Sequence, residues 1–157
     1  MGERFIARHS GEGDALWMLG GLYEVKATAD ETDGTATVME FTIPVGMGPP
    51  PHVHDCAEFV YVLEGTGIWR VDGQQVEGRP GSMFYFPAGV EETFEPTSTL
   101  RILLLYAPGG IDRFFTEFGE PAERREVPPA PEGPPDIERL TEVATKYGLE
   151  VHVPQQV

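Results

Sequence analysis

From Thr35 to Tyr106 the chain is a succession of short alternating runs, each cut by glycine or proline within a few residues. Thr35, Thr37, Met39, Phe41 and Ile43 alternate with Ala36, Val38, Glu40 and Thr42. Residues two apart share a face of an extended chain, so this is strand periodicity, reinforced by β-branched and aromatic side chains. Pro44 and residues 46–51 break regular pairing. Further strands are expected over 58–63, 68–71, 74–77, 82–86, 91–94 and 100–106, and earlier over 4–9, 15–18 and 22–28. Asp72-Gly73 is a hairpin signal, because both residues tolerate positive φ. So many short strands with glycine and proline turns predict an all-β chain, closed as a sandwich or barrel.

After Gly110 the period changes. Ile111, Phe114, Phe115 and Phe118 recur three or four apart, as on one face of a helix. Residues 121–135 carry six prolines and read as an extended linker. Ile137, Leu140, Val143, Ala144 and Tyr147 then share a second helix face. Gly148 sits in the C-terminal cap position, and Lys146 complements the helix dipole. The expected organisation is a barrel with its flanking helix over 1–118, centred on about 35–107. A proline-rich linker over 119–135 follows. Residues 136–157 form a helix and tail that pack on the barrel or on a partner subunit.

One stretch carries chemistry. His52, His54 and Glu58 share a parity, so a strand-like path puts two imidazoles and a carboxylate on one face. That donor set is a metal-site candidate. Val60 and Val62 continue the same parity and should line the interior, leaving Phe59, Tyr61 and Leu63 outside. Met39, Phe41, Trp69, Phe84, Phe86 and Phe94 are candidates for an apolar wall. Tyr85 and Tyr106 are candidate hydrogen-bond donors to a substrate. Arg70 and Arg101 are expected in structural ion pairs, and Cys56 as a buried bystander.

The charge balance narrows the partners. Eleven basic against 26 acidic residues give a formal charge of −15, which disfavours nucleic acid and anionic membrane surfaces. The single cysteine rules out an intramolecular disulfide framework. The N-terminal residues lack the long apolar core of a signal peptide, and no apolar run approaches a membrane span. A cytoplasmic protein is the expectation.

Gly46, five residues, His52-x-His54, three residues, Glu58, six residues and Gly65 resemble the first motif of the cupin superfamily. Gly81, five residues and Pro87-x-Gly89 resemble its second motif. The phrases Pro-Pro-Pro-His-Val-His and Tyr-Val-Leu-Glu-Gly are similar to those of small cupins of the quercetin 2,3-dioxygenase-like group. The resemblance implies a double-stranded β-helix, or jelly-roll, barrel with a C-terminal helical extension. It also implies one divalent transition metal per chain (Fe, Mn, Ni, Co or Zn) and a homodimer. Phe59 and Tyr61 on the outer face motivate the same dimer.

The second motif departs from the family at one position: Glu92 stands where a third histidine is usual, and Pro96 where an asparagine often closes the motif. Three arrangements follow. Glu92 is a fourth ligand beside His52, His54 and Glu58, which suits harder ions. Or His52, His54 and Glu58 hold the metal alone and Glu92 is a catalytic base. Or the site has lost its metal. The expected function is a metal-dependent, dioxygenase-like oxidoreductase acting on a small aromatic or enolic molecule. The alternatives are a non-redox isomerase, cyclase or lyase using Glu92 as base, and a non-catalytic small-molecule-binding barrel.

Overall fold

The computed structural model describes residues 4–153. Its strands are β1 (Ala15–Met18), β2 (Gly21–Ala27), β3 (Thr37–Ile43), β4 (His52–His54), β5 (Ala57–Glu64) and β6 (Gly67–Val71). They continue with β7 (Gln74–Gly78), β8 (Met83–Phe86), β9 (Glu91–Pro96), β10 (Leu100–Ala107), β11 (Glu120–Pro121) and β12 (Leu149–Val151). Two helices, α1 (Asp112–Phe118) and α2 (Ile137–Lys146), complete the described elements.

The strands form two antiparallel sheets, ordered β11-β1-β2-β3-β10-β5-β8 and β12-β4-β9-β6-β7. Alternation decides which face is inside. On β3 Thr37, Met39, Phe41 and Ile43 are buried, and on β10 Leu100, Ile102, Leu104 and Tyr106 are buried. Antiparallel pairing brings Met39 opposite Leu104 and Phe41 opposite Ile102, so the inward sets stack between the sheets. Val60 and Val62 join them from β5, as their parity predicts. Trimming one of these fully buried side chains to alanine costs about 2–5 kcal/mol. The expected all-β jelly-roll architecture is present.

The β6–β7 hairpin turns at Asp72-Gly73, with φ of 48° and 78°. Both central residues are left-handed, which matches the twist of the flanking strands. Residues 4–9, by contrast, form no strand. They run as irregular chain tied down by the two-pronged pairing of Arg8 with Glu31 and by Arg8 Nη1 donating to the Lys26 carbonyl. They lie beside β2 and β3, with Ile6 and Arg8 near Lys26, Val38 and Glu40, and both of these strands are already paired on each side.

α1 buries Phe114 and Phe115, the latter against Tyr23 and Phe41, closing one end of the interior. α2 starts on Asp136, whose side chain accepts from the Arg139 amide, and it buries Leu140, Val143 and Ala144. Arg139 reaches back to the Phe118 and Glu117 carbonyls at the end of α1. The chain then turns at Gly148, φ 78°, and enters β12. The C-terminal segment therefore packs on the barrel itself and adds a strand beside β4. No described helix is long and apolar enough to cross a membrane.

Candidate metal centre

β4 is only three residues long, yet both of its edges are occupied. His52 lies opposite Glu92 of β9 on one side and Val151 of β12 on the other; His54 lies opposite Leu149. Opposed residues of an antiparallel pair project to the same face. This places His52, His54 and Glu92 together on the inner face, with Leu149 and Val151 beside them. The chain then crosses at Asp55-Cys56 into the other sheet, where Glu58 of β5 lies opposite Tyr106 of β10 and Phe86 of β8. The shared parity of His52, His54 and Glu58 thus survives, although the residues lie on two strands of different sheets.

The four side chains meet in the interior. One donor atom from each of His52, His54, Glu58 and Glu92 falls within 4.8 Å of the others, and all four residues are buried. His52 Nε2 is 3.3 Å from Glu92 Oε1, His54 Nε2 is 3.3 Å from Glu58 Oε2, and His54 Nε2 is 3.7 Å from Glu92 Oε1. His52 Nδ1 lies 2.9 Å from the Pro50 carbonyl. That bond places its proton on Nδ1 and leaves Nε2 as a lone-pair donor facing the cluster.

Burial of this cluster is expensive as it stands. His54 Nδ1 and Nε2, Glu58 Oε2 and Glu92 Oε2 are buried without a hydrogen-bond partner. Burial depresses the basicity of His54, which keeps its imidazole neutral. Burial, and then the neighbouring Glu92 charge, pushes the Glu58 carboxyl well above the ordinary carboxylate range. Burial also raises Glu92, but its contacts with Glu58 and the two imidazoles outweigh this and hold it below that range. Two carboxyl groups and two imidazoles converge with no lysine or arginine among them. A dication fits this donor set: it satisfies the orphaned atoms and balances both carboxylates.

Apolar groups surround the cluster. It opens on a chamber of about 60 Å³ whose walls include Tyr23, Phe41, Phe94, Tyr106, Phe115 and Leu149. Of the aromatic wall candidates, Phe41 and Phe94 line this chamber. Met39 and Phe86 belong to the core behind it, and Trp69 stacks between Phe84 and Phe94. Tyr106 is buried beside His54, ring centroids 5.4 Å apart. Tyr85 points the other way: it is exposed on the outer face against Phe59, where it meets no substrate from the chamber. Its odd position opposite Phe59, next to the inward Glu58–Phe86 pair, decides this.

Arg70 pairs with Glu95, and Arg101 with Glu40 and Glu64, as structural ion pairs. Cys56 is buried outside the donor set, its thiol pushed up to about 11 by burial. Leu149 and Val151 are wall residues that sequence reasoning passed over. Their signal was the alternation Leu149-Glu150-Val151 just after a helix cap.

Residues 39–106 match the family model described as Cupin domain. Over 125 residues the chain is 30% identical to quercetin 2,3-dioxygenase of Bacillus subtilis, covering 78% of this chain and 37% of that protein's length. Among solved structures, it is similar to KdgF from Halomonas sp., with TM-score 0.60, 18% identity and coverage of 69% of this chain and 98% of that one. A variant of oxalate decarboxylase OxdC from Bacillus subtilis gives TM-score 0.55 at 19% identity, over 62% of this chain and 28% of that one. These structural likenesses speak for the fold. With the motif spacing, the two-sheet barrel and the matched domain in agreement, the chain is a protein of the cupin superfamily.

Proposed function

We propose that this protein is a metal-dependent oxidoreductase of the dioxygenase type, acting on a small aromatic or enolic molecule. His52, His54, Glu58 and Glu92 would hold its one divalent transition metal. The observation that carries this reading is the buried four-residue cluster, in which His54, Glu58 and Glu92 have polar atoms without a partner in the protein. The metal when bound supplies Lewis-acid polarisation of a substrate oxygen and, for a redox-active ion, electron transfer. The Pro50 carbonyl fixes the tautomer and ring orientation of His52. Glu92 lies between both imidazoles, which favours a ligand over a free base. The Tyr106 phenol, on the chamber wall, donates to the Glu58 carboxyl and would orient it toward the metal. Apolar walls keep water from a reactive intermediate.

The likeness to quercetin 2,3-dioxygenase supports oxygen chemistry, over the third or so of that protein that the chain spans. The test is oxygen uptake by protein reconstituted with each of Fe, Mn, Ni, Co and Zn, against a panel of enolic and catecholic compounds. Uptake with one metal and one compound class is expected. Metal binding without oxygen uptake, but with isomerised or dehydrated product, would replace this reading with a non-redox one.

A further inference from the structure

The inner chamber, about 60 Å³, is far smaller than a whole ligand requires, since pockets for small molecules run to roughly 300–1,000 Å³. It has room for a few water-sized groups. A second cavity of about 950 Å³ adjoins it. The two share Met18, Leu19, Pro50 and Leu140, so these four residues form the boundary between the outer cavity and the inner one. The outer walls come from Trp17, Met47, Phe118, Val153 and the prolines of the 128–135 segment. These walls lie outside residues 39–106, apart from the loop carrying Met47 and Pro50.

The charged residues lining the outer cavity are Glu120, Asp136 and Arg139. Arg139 is the outer cavity's one cation among the described residues. Its guanidinium donates to the Phe118 and Glu117 carbonyls and lies 5.0 Å over the Phe118 ring. Asp136 caps the Arg139 amide. The inner chamber has no lysine or arginine, and its two carboxylates balance a dication. A negatively charged ligand therefore finds no free countercharge in either cavity.

We propose that the outer cavity is a second binding subsite, which takes the neutral, flat apolar body of a two-part ligand while its small oxygen-bearing head enters the inner chamber. This rests on the metal-site reading above and names the ligand that site admits. Without the outer subsite the chamber would hold only the head.

The test uses the metal-reconstituted full chain and three probes with one metal-binding head. These are acetohydroxamic acid (head alone), a naphthalene hydroxamic acid (head plus apolar body), and the same naphthalene compound bearing a carboxylate at the far end. Calorimetry should show the naphthalene compound binding about tenfold or more tighter than acetohydroxamic acid, with the carboxylated compound losing that gain. Met47→Glu and Val153→Glu place a charge on the lining of the outer cavity, at a half-buried and an exposed position. Each should cut naphthalene binding by about fivefold or more, leave acetohydroxamic acid unaffected, and melt as the parent does. Equal affinity of the first two probes overturns the proposal, as does equal weakening of both by the variants. Binding of acetohydroxamic acid with no gain from the naphthalene body rejects the subsite and keeps the metal site. Absence of binding by every probe rejects both.

Discussion

Two clusters of charge sit within the same barrel and are built from similar residues. On the outer face, Arg101 of β10 bridges Glu40 of β3 and Glu64 of β5, at 2.5 and 3.0 Å, with water around it. In the interior, His52, His54, Glu58 and Glu92 converge with two carboxylates and no protein cation. The outer cluster is complete: its acids have an arginine and solvent, and such pairs contribute little to stability. The inner cluster has unpartnered atoms on three of its four residues. A fold tolerates that arrangement where an external cation completes it, and the contrast marks the interior cluster as the functional one.

Four tests would break or sharpen this contrast. The largest effect is expected at Glu92. Glu92→Ala should lower metal affinity by at least about a hundredfold in a chelator competition, whereas Glu92→His keeps it within about tenfold. If the alanine variant binds metal like the parent, Glu92 is not a ligand and the cluster shrinks to three. Next is chelation: at metal concentrations about a thousand times Kd, removal should lower the melting temperature by roughly 10 °C. An unchanged melting curve would mean that the inner cluster needs no cation.

Third, Glu58→Gln in the metal-free protein should raise stability by about 1–2 kcal/mol in urea unfolding at neutral pH, because the fold disfavours the ionised Glu58 that the unfolded chain carries, and glutamine has no charge to desolvate. Arg101→Met should cost at most about 1 kcal/mol and leave metal content intact. A larger loss at Arg101 than the change at Glu58 would reverse the ranking of the two clusters. The smallest effect concerns Arg8, which holds the Glu31 carboxyl below the ordinary carboxylate range. A depressed folded value gives stability that is fully present above the unfolded value and lost as pH falls through the folded one. Arg8→Met should therefore cost a few tenths of a kcal/mol at neutral pH and nothing measurable in strong acid. A cost that persists in acid would assign it to packing of the arginine stem.

The first half of the site was legible because local rules write it. The spacing from Gly46 to Gly65 and the parity of His52, His54 and Glu58 are both visible in a single stretch. The strands from Thr37 to Ala107 followed from period-two alternation and glycine or proline turns. What the sequence left open is long-range. That Glu92 lies opposite His52 is a matter of register between β4 and β9, which no local pattern encodes. Three-residue strands such as β4 and β12 carry a single alternation that names no pairing partner, so the closure of β4 by the C-terminus became visible only in the fold. Tyr85 and Tyr106 were equal candidates until strand register turned one outward and the other into the chamber. Residues 4–9 have strand-like composition, but they run beside β2 and β3, which are paired on both sides, and stay irregular.

The central claim is that the interior cluster is a metal centre, and elemental analysis of the purified protein tests it most directly. The parent, after exposure to Fe, Mn, Ni, Co and Zn and removal of excess ion, should retain about one equivalent of metal per chain. His54→Ala, correctly folded by circular dichroism, should retain almost none. Less than about a tenth of an equivalent in the parent with every metal, or equal retention by His54→Ala, would contradict the account.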